Sequence, residues 1–464
     1  MKNSLLILLL ALTACTPKNK ENISNPAPPA AIAPYAEDPR FWSYGENPVL
    51  LLGASRDDNL FQIDGLAGHL DTLAAAGGNY IRNTMSSRDA GNLWPFFRLP
   101  DGRYDLDRFN EKYFNRLDTL LRLTAEREII VQVEIWDRFD YARDPWLENP
   151  FRPVNNINYD STASRMSNFY PRHPGRNDNP FFRTVPTLEN NPMILAFQQA
   201  LVRRILQSTL AYDQVLYCMD NETSAHPDWG AYWARFIKAE AEKQDKTVYC
   251  TEMWDAWDLK NEQHQNTLDH PELYDFVDIS QNNHNKGQEH WDNLHWVRAY
   301  TAASPRPLNH VKIYGADTGR YGTDRDGIER FWRSLLGGAA SIRFHRPASG
   351  LGLRPEAQAC LRSARMLADR FDFFRAQPDV ESRLLADREP NEAYLSSIAH
   401  ERYALYFPDG GAVQLDLRAM EGNIKIHWLH ILESRWLELE MIKAGDWITL
   451  EAPGEGHWVA LVSQ

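Results

Sequence analysis

The stretch VLYCMDNETS, residues 215–224, is an apolar, partly β-branched run that stops on three polar side chains, Asp220, Asn221 and Glu222. A run of that length bounded by polar residues suits a strand buried on both faces, and its abrupt acidic end implies that it opens onto something wet. Seven other runs end in the same manner: VLLLGAS from Val49, YIRNTMS from Tyr80, IIVQVEIWD from Ile129, TVYCTEMWD from Thr247, FVDISQNNH from Phe276, VKIYGAD from Val311 and SIRFHRP from Ser341.

Between these runs lie stretches such as MILAFQQALVRRILQSTLAY and WGAYWARFIKAEAEKQ, in which apolar residues recur three and four positions apart, as on a helix lying against a sheet. Strand and helix alternating eight times over about 300 residues predicts an α/β fold, a (β/α)8 TIM barrel. A doubly wound sheet closes with fewer strands and a glycine fingerprint, and no G-x-G-x-x-G follows the first run.

A barrel explains the opening stretch, because the C-terminal ends of its strands meet at one mouth. The expected rim carries Asp58 after the first strand, Arg82 and Asn83 on the second, and Glu134, Trp136, Asp137 and Arg138 on the third. It continues with Asn221 and Glu222 on the fourth, Glu252, Trp254 and Asp255 on the fifth, and Asn282, Asn283 and His284 on the sixth. Tyr314 and Asp317 follow on the seventh, His345 and Arg346 on the eighth. Any one carboxylate there also fits a helix cap or a salt bridge. The whole set is harder to explain structurally, since a rim of exposed aromatics and crowded like charges is costly.

The first residues, MKNSLLILLLALTAC, hold a lysine, an apolar stretch too short to span a bilayer, and small residues before Cys15, which is the layout of a secretory signal. Leu12 to Cys15 resemble a bacterial lipobox, implying an exported lipoprotein anchored through Cys15 in the outer membrane, facing the periplasm or the cell surface. Residues 16–36, rich in Pro, Asn, Lys and Ala, read as a flexible tether. With 63 acidic against 50 basic residues, a net charge of -13, nucleic acid is not an expected partner. Cys218, Cys250 and Cys360 read as buried free thiols rather than a disulfide or metal set.

The barrel is expected over residues 37–378. From about Ala393 onward, short alternating runs (RYALYFPDGGAVQLDL, NIKIHWLHI, HWVALVS) separated by Asp-Gly, Gly and Pro turns predict a small antiparallel β-sandwich, assigned to 379–464.

Trp, Asn, His and carboxylates around a barrel mouth suit a sugar, whose C–H faces stack on aromatics and whose hydroxyls bind amides, imidazoles and carboxylates. Trp94, Trp233 and Trp332, on helical or loop patterns, read as packing. Cleaving a glycosidic bond takes two carboxyl groups, one to protonate the leaving oxygen and one to attack or to activate water. Asn221 followed by Glu222 resembles the acid/base pair of the clan A glycoside hydrolases; the resemblance implies that Asn221 contacts the sugar and Glu222 is the general acid/base. That clan's nucleophile is usually a Glu ending the seventh strand, where this chain has Asp317. The shorter arm could widen the carboxyl separation from a retaining to an inverting spacing. Glu252, then Glu134 and Asp137, are the alternative second carboxylates.

The barrel-sandwich order, with LLGASRDDNLF and HLDTLAAAGGNYIRN early and GHWVALV at the end, is similar to the apiosidase-like bacterial hydrolases, whose C-terminal module carries a collagen-binding label. Packing on the barrel is the expected role of that module here. The long connection at about 138–214 is expected to wall the pocket, with Arg138, Arg152 and His173 in reach of an acidic sugar. The chain thus reads as a lipid-anchored glycoside hydrolase needing no cofactor. The alternative is a carbohydrate-binding lipoprotein on a barrel that has lost catalysis. A metal hydrolase through His284 and His345 lacks an H-x-H or H-E-x-x-H motif, and no G-x-S-x-G supports a serine hydrolase.

Overall fold

The computed structural model describes residues 30–176, 178–316 and 319–464; Cys15 and Asp317 lie outside them. Eight strands form one parallel sheet: β1 (Leu51–Ala54), β2 (Tyr80–Thr84), β3 (Ile130–Asp137), β4 (Val215–Asn221), β5 (Cys250–Thr251), β6 (Val277–Asp278), β7 (Leu308–Ile313) and β8 (Ser341–Phe344). They are ordered β5-β4-β3-β2-β1-β8-β7-β6, the order of a (β/α)8 barrel. Every residue of β3 and β4 is buried, as a parallel sheet covered on both faces requires.

The seam between β5 and β6 is closed not by a ladder but by one backbone bond, from the Asp275 amide to the Cys250 carbonyl (2.8 Å), and by side chains. The Cys250 amide donates to Asp275 Oδ2 (2.8 Å) and Thr251 Oγ1 to the Phe276 carbonyl (2.7 Å). Both strands are far shorter than their apolar runs suggest. The Asp278 carboxylate accepts from the Ser280 amide and hydroxyl, turning the chain into a 3-10 helix over Ser280–His284.

Ile32–Pro34, expected within the tether, instead pairs with Trp42–Tyr44, which pairs with Asn47–Val49. This small sheet seals the barrel floor: the Trp42 indole donates to Asn309 Oδ1 at the start of β7 (3.0 Å) and packs edge-on against Tyr249 and Phe276.

Beyond helix Pro355–Ala368, antiparallel strands form a seven-stranded and a three-stranded sheet with a core around Leu405, Leu415 and Trp428. Tyr406, Leu429 and Val459 join the barrel core instead, so one face of this domain packs on the barrel. Ser363 donates to the Ile431 carbonyl and Trp332 stacks on Tyr406 across that contact. Cys218, Cys250 and Cys360 are buried and free. No helix among the described residues is long and apolar enough to cross a membrane.

Candidate active site

β4 delivers Asn221 and Glu222 to the mouth. Glu222 adopts φ 47°, in the left-handed region that costs a non-glycine residue energy and recurs at functional sites. Its carboxylate accepts from the Lys312 ammonium (2.9 Å) and the Tyr314 hydroxyl (3.1 Å), while the same ammonium donates to Asn221 Oδ1 (2.5 Å). Asn283 braces this group from the 3-10 helix after β6: its side-chain amide donates to the Lys312 carbonyl and accepts from the Tyr314 amide (2.9 Å). Burial works to raise the Glu222 carboxyl, but the Lys312 charge and hydrogen bond, with Arg82 and Tyr314, outweigh it and hold the group below its usual range.

The sequence reading missed Lys312, because alternation along β7 hides it. Asn309 points to the floor, and His310 points outward to Ser334 on helix Asp324–Leu336 (3.0 Å). Strict alternation would turn Lys312 outward as well. The register with β8 shifts between His310 and Ile313, a bulge that re-aims Lys312 into the barrel.

Glu222 lies on the wall of a cavity of about 740 Å³ between the ends of β4, β5 and β6, with Asp255, Asp258 and His173 also lining it. His173 comes from the long connection, as expected. Trp257 is 56% exposed there; His284 stacks on it (4.6 Å between centroids, 10°) and the Arg320 guanidinium sits 3.6 Å over its ring. Burial, then the Arg320 charge, lowers the His284 imidazole to about 4, so it is neutral.

The rim near β2 and β3 is sealed. Arg82 forms a buried pair with Glu134 (2.5 Å) and reaches Asp58 (2.5 Å). Arg346 approaches Asp58 at 3.0 Å, and the His345 ring lies 3.5 Å from it and 4.7 Å from the Tyr314 ring. Asp137 is paired with Arg88 and caps the Phe139 amide. Glu134 and Asp137 are thus held in ion pairs and, unlike Glu222, do not line the cavity.

Glu252 is buried, with Oε1 accepting from the amides of Asp220 (2.9 Å) and Met253 (3.2 Å). Burial, then the Asp220 charge, pushes its carboxyl well up; burial pushes Asp220 itself up to about 7. Gly230 makes room for Glu252, since a Cβ there would overlap Oε2.

Several residues expected to touch sugar are instead packed inside. Trp136 is enclosed by Phe181, Trp229 and Trp233. Trp254 is buried and donates to Thr267 (2.9 Å), and Asn282 is buried with its amide on the His290 carbonyl (2.8 Å). Arg138 is buried over the Phe182 ring, whereas Arg152 is only half-buried but is engaged within the connection, donating to the Asn168 carbonyl (2.8 Å). Asn221, Asp255, His284 and Tyr314 do gather around Glu222 and its cavity.

No family model and no curated protein matches the chain. Among solved structures it is similar to a glycoside hydrolase family 5 protein from Bacteroides vulgatus ATCC 8482, with TM-score 0.63 at 13% identity, covering 94% of this chain and 92% of that one. A second structure, named glycoside hydrolase, has TM-score 0.63 at 11% identity over 94% and 97%. A maltogenic alpha-amylase from Thermotoga neapolitana has TM-score 0.53 at 11% identity over 89% and 99%. What this chain shares with them is the fold alone.

Proposed function

We propose that the protein is a glycoside hydrolase in which Glu222 moves the proton at the scissile bond and Asn221 binds the adjoining sugar. One observation carries the reading: Glu222, just past the end of β4 and next to buried Asn221, stands on the wall of the large cavity, with Lys312 and Tyr314 converging on its carboxylate. Asp317 is the proposed second carboxyl, an apiosidase-like enzyme the proposed subtype, and export with anchoring through Cys15 the proposed setting.

The cavity, closed on one side by His173 of the long connection, suits a side chain or chain end of a polysaccharide. Purified protein is expected to release sugar from one member of a panel of plant, algal and host polysaccharides. Glu222→Gln is expected to lower that turnover by about 100-fold to 10,000-fold while sparing binding. Unchanged turnover would remove Glu222 from the chemistry. The second reading, a carbohydrate-binding protein without catalysis, draws on the Lys312 pair, which engages the carboxylate in the resting state; binding with no turnover on any substrate would favour it.

A further inference from the structure

Lys312 is almost completely buried, yet its ammonium ends on the two side chains that the proposed chemistry uses, Asn221 and Glu222. Burying an ammonium costs free energy unless it is paired and hydrogen-bonded. Here a bulge in β7 turns it inward and Asn283 holds its carbonyl, so the inward position is built rather than incidental.

Two consequences follow from elementary chemistry. An ammonium only donates, so the Asn221 amide must present its oxygen to Lys312; its NH2, which donates to no described residue, is then left to face elsewhere. An ammonium 2.9 Å from a carboxylate favours the charged form of that carboxylate. The other groups facing Glu222 are Tyr314 from β7, Arg82 from β2 and His284 after β6; those facing Lys312 include Asp278 and His345. Tyr314 donates a hydrogen bond and Arg82 adds a second positive charge, so neither opposes ionisation.

We propose that Lys312 is the positioning residue of this site: it fixes the Asn221 amide with its NH2 turned away from the ammonium and holds Glu222 as the carboxylate, which suits the general-base half of the proposed acid/base role and leaves protonation of the leaving oxygen to the second carboxyl, proposed above as Asp317. The proposal rests on the hydrolase reading for its meaning in the reaction, but the charge state can be measured without turnover.

The test is the titration of Glu222, read as the carboxylate band in infrared difference spectra between the protein and its Glu222→Gln variant. The wild-type band is expected to persist below the ordinary carboxylate range. In Lys312→Gln, measured against its own Glu222→Gln double variant, the midpoint is expected to rise by about 1 pH unit or more. Lys312→Arg should keep the wild-type midpoint, and Tyr314→Phe should move it much less than Lys312→Gln. On a hydrolysed substrate, turnover should rise with pH along a limb that follows the same midpoint, and Lys312→Gln should shift that limb upward.

A wild-type midpoint at or above the ordinary range would overturn the proposal even if Lys312→Gln does not fold. An equal midpoint in Lys312→Gln, or turnover lost rather than gained as Glu222 ionises, would overturn it too. If no substrate is cleaved, the hydrolase reading fails while the infrared midpoint still decides what Lys312 does to Glu222.

Discussion

Glu222 and Glu252 end neighbouring strands of one barrel, and both stand where the sequence places an acid, yet their surroundings drive them in opposite directions. Glu222 meets an ammonium from β7 and a tyrosine hydroxyl on a cavity wall. Glu252 meets backbone amides and the charge of Asp220 where it is buried beside Gly230. The lesson is that position at a strand end does not set a carboxyl's chemistry; the counter-charge supplied by another strand does. The rim around Arg82 is a third case, in which the charges are so fully paired that they serve the barrel rather than a ligand.

The sharpest way to break this contrast is to remove the cation of the sealed rim. Arg82→Met leaves Glu134 and Asp58 buried without their shared partner and is expected to cost about 3–5 kcal/mol in urea unfolding. A loss below about 1 kcal/mol would show that these charges are solvated and that the rim is open.

A smaller effect separates the two glutamates by pH. A carboxyl raised in the folded state binds its proton more tightly there than in the unfolded chain. Its stabilisation is therefore complete below the ordinary carboxylate range and is lost as pH rises through the folded value, about 7 for Asp220. Asp220→Asn is expected to reduce the fall in melting temperature between pH 5 and pH 8. Glu222, held low, works the other way: its stabilisation is present at neutral pH and is lost as pH falls. Parallel melting curves for Asp220→Asn and wild type would break the Glu252 side of the comparison.

The smallest effect concerns the open wall. Trp257→Ala is expected to change stability by less than about 0.5 kcal/mol. It should weaken binding of a recognised oligosaccharide roughly tenfold by calorimetry, through loss of the surface that orders His284 and Arg320.

The barrel was legible because its strands are buried on both faces and stand out as apolar runs; β3 and β4 match their runs nearly end to end. β5 and β6 were overextended because the residues that end them, such as Asp278, act through side-chain caps rather than apolarity. Asn221 and Glu222 were visible as a pair. Trp136 was misplaced because Phe181, which covers it, comes from a connection whose path no local pattern reveals. Lys312 was invisible for a related reason: its direction depends on a bulge and its partners lie about ninety residues away.

The small sheet under the barrel has a geometric consequence. Ile32 joins the body beside Asp213, just before β4 begins, whereas the Glu222 cavity opens past the other end of that strand. The described chain therefore enters the body at one end of the barrel while the candidate site opens at the opposite end, so that changes to the small sheet and changes to the cavity are separated by the full length of the strands.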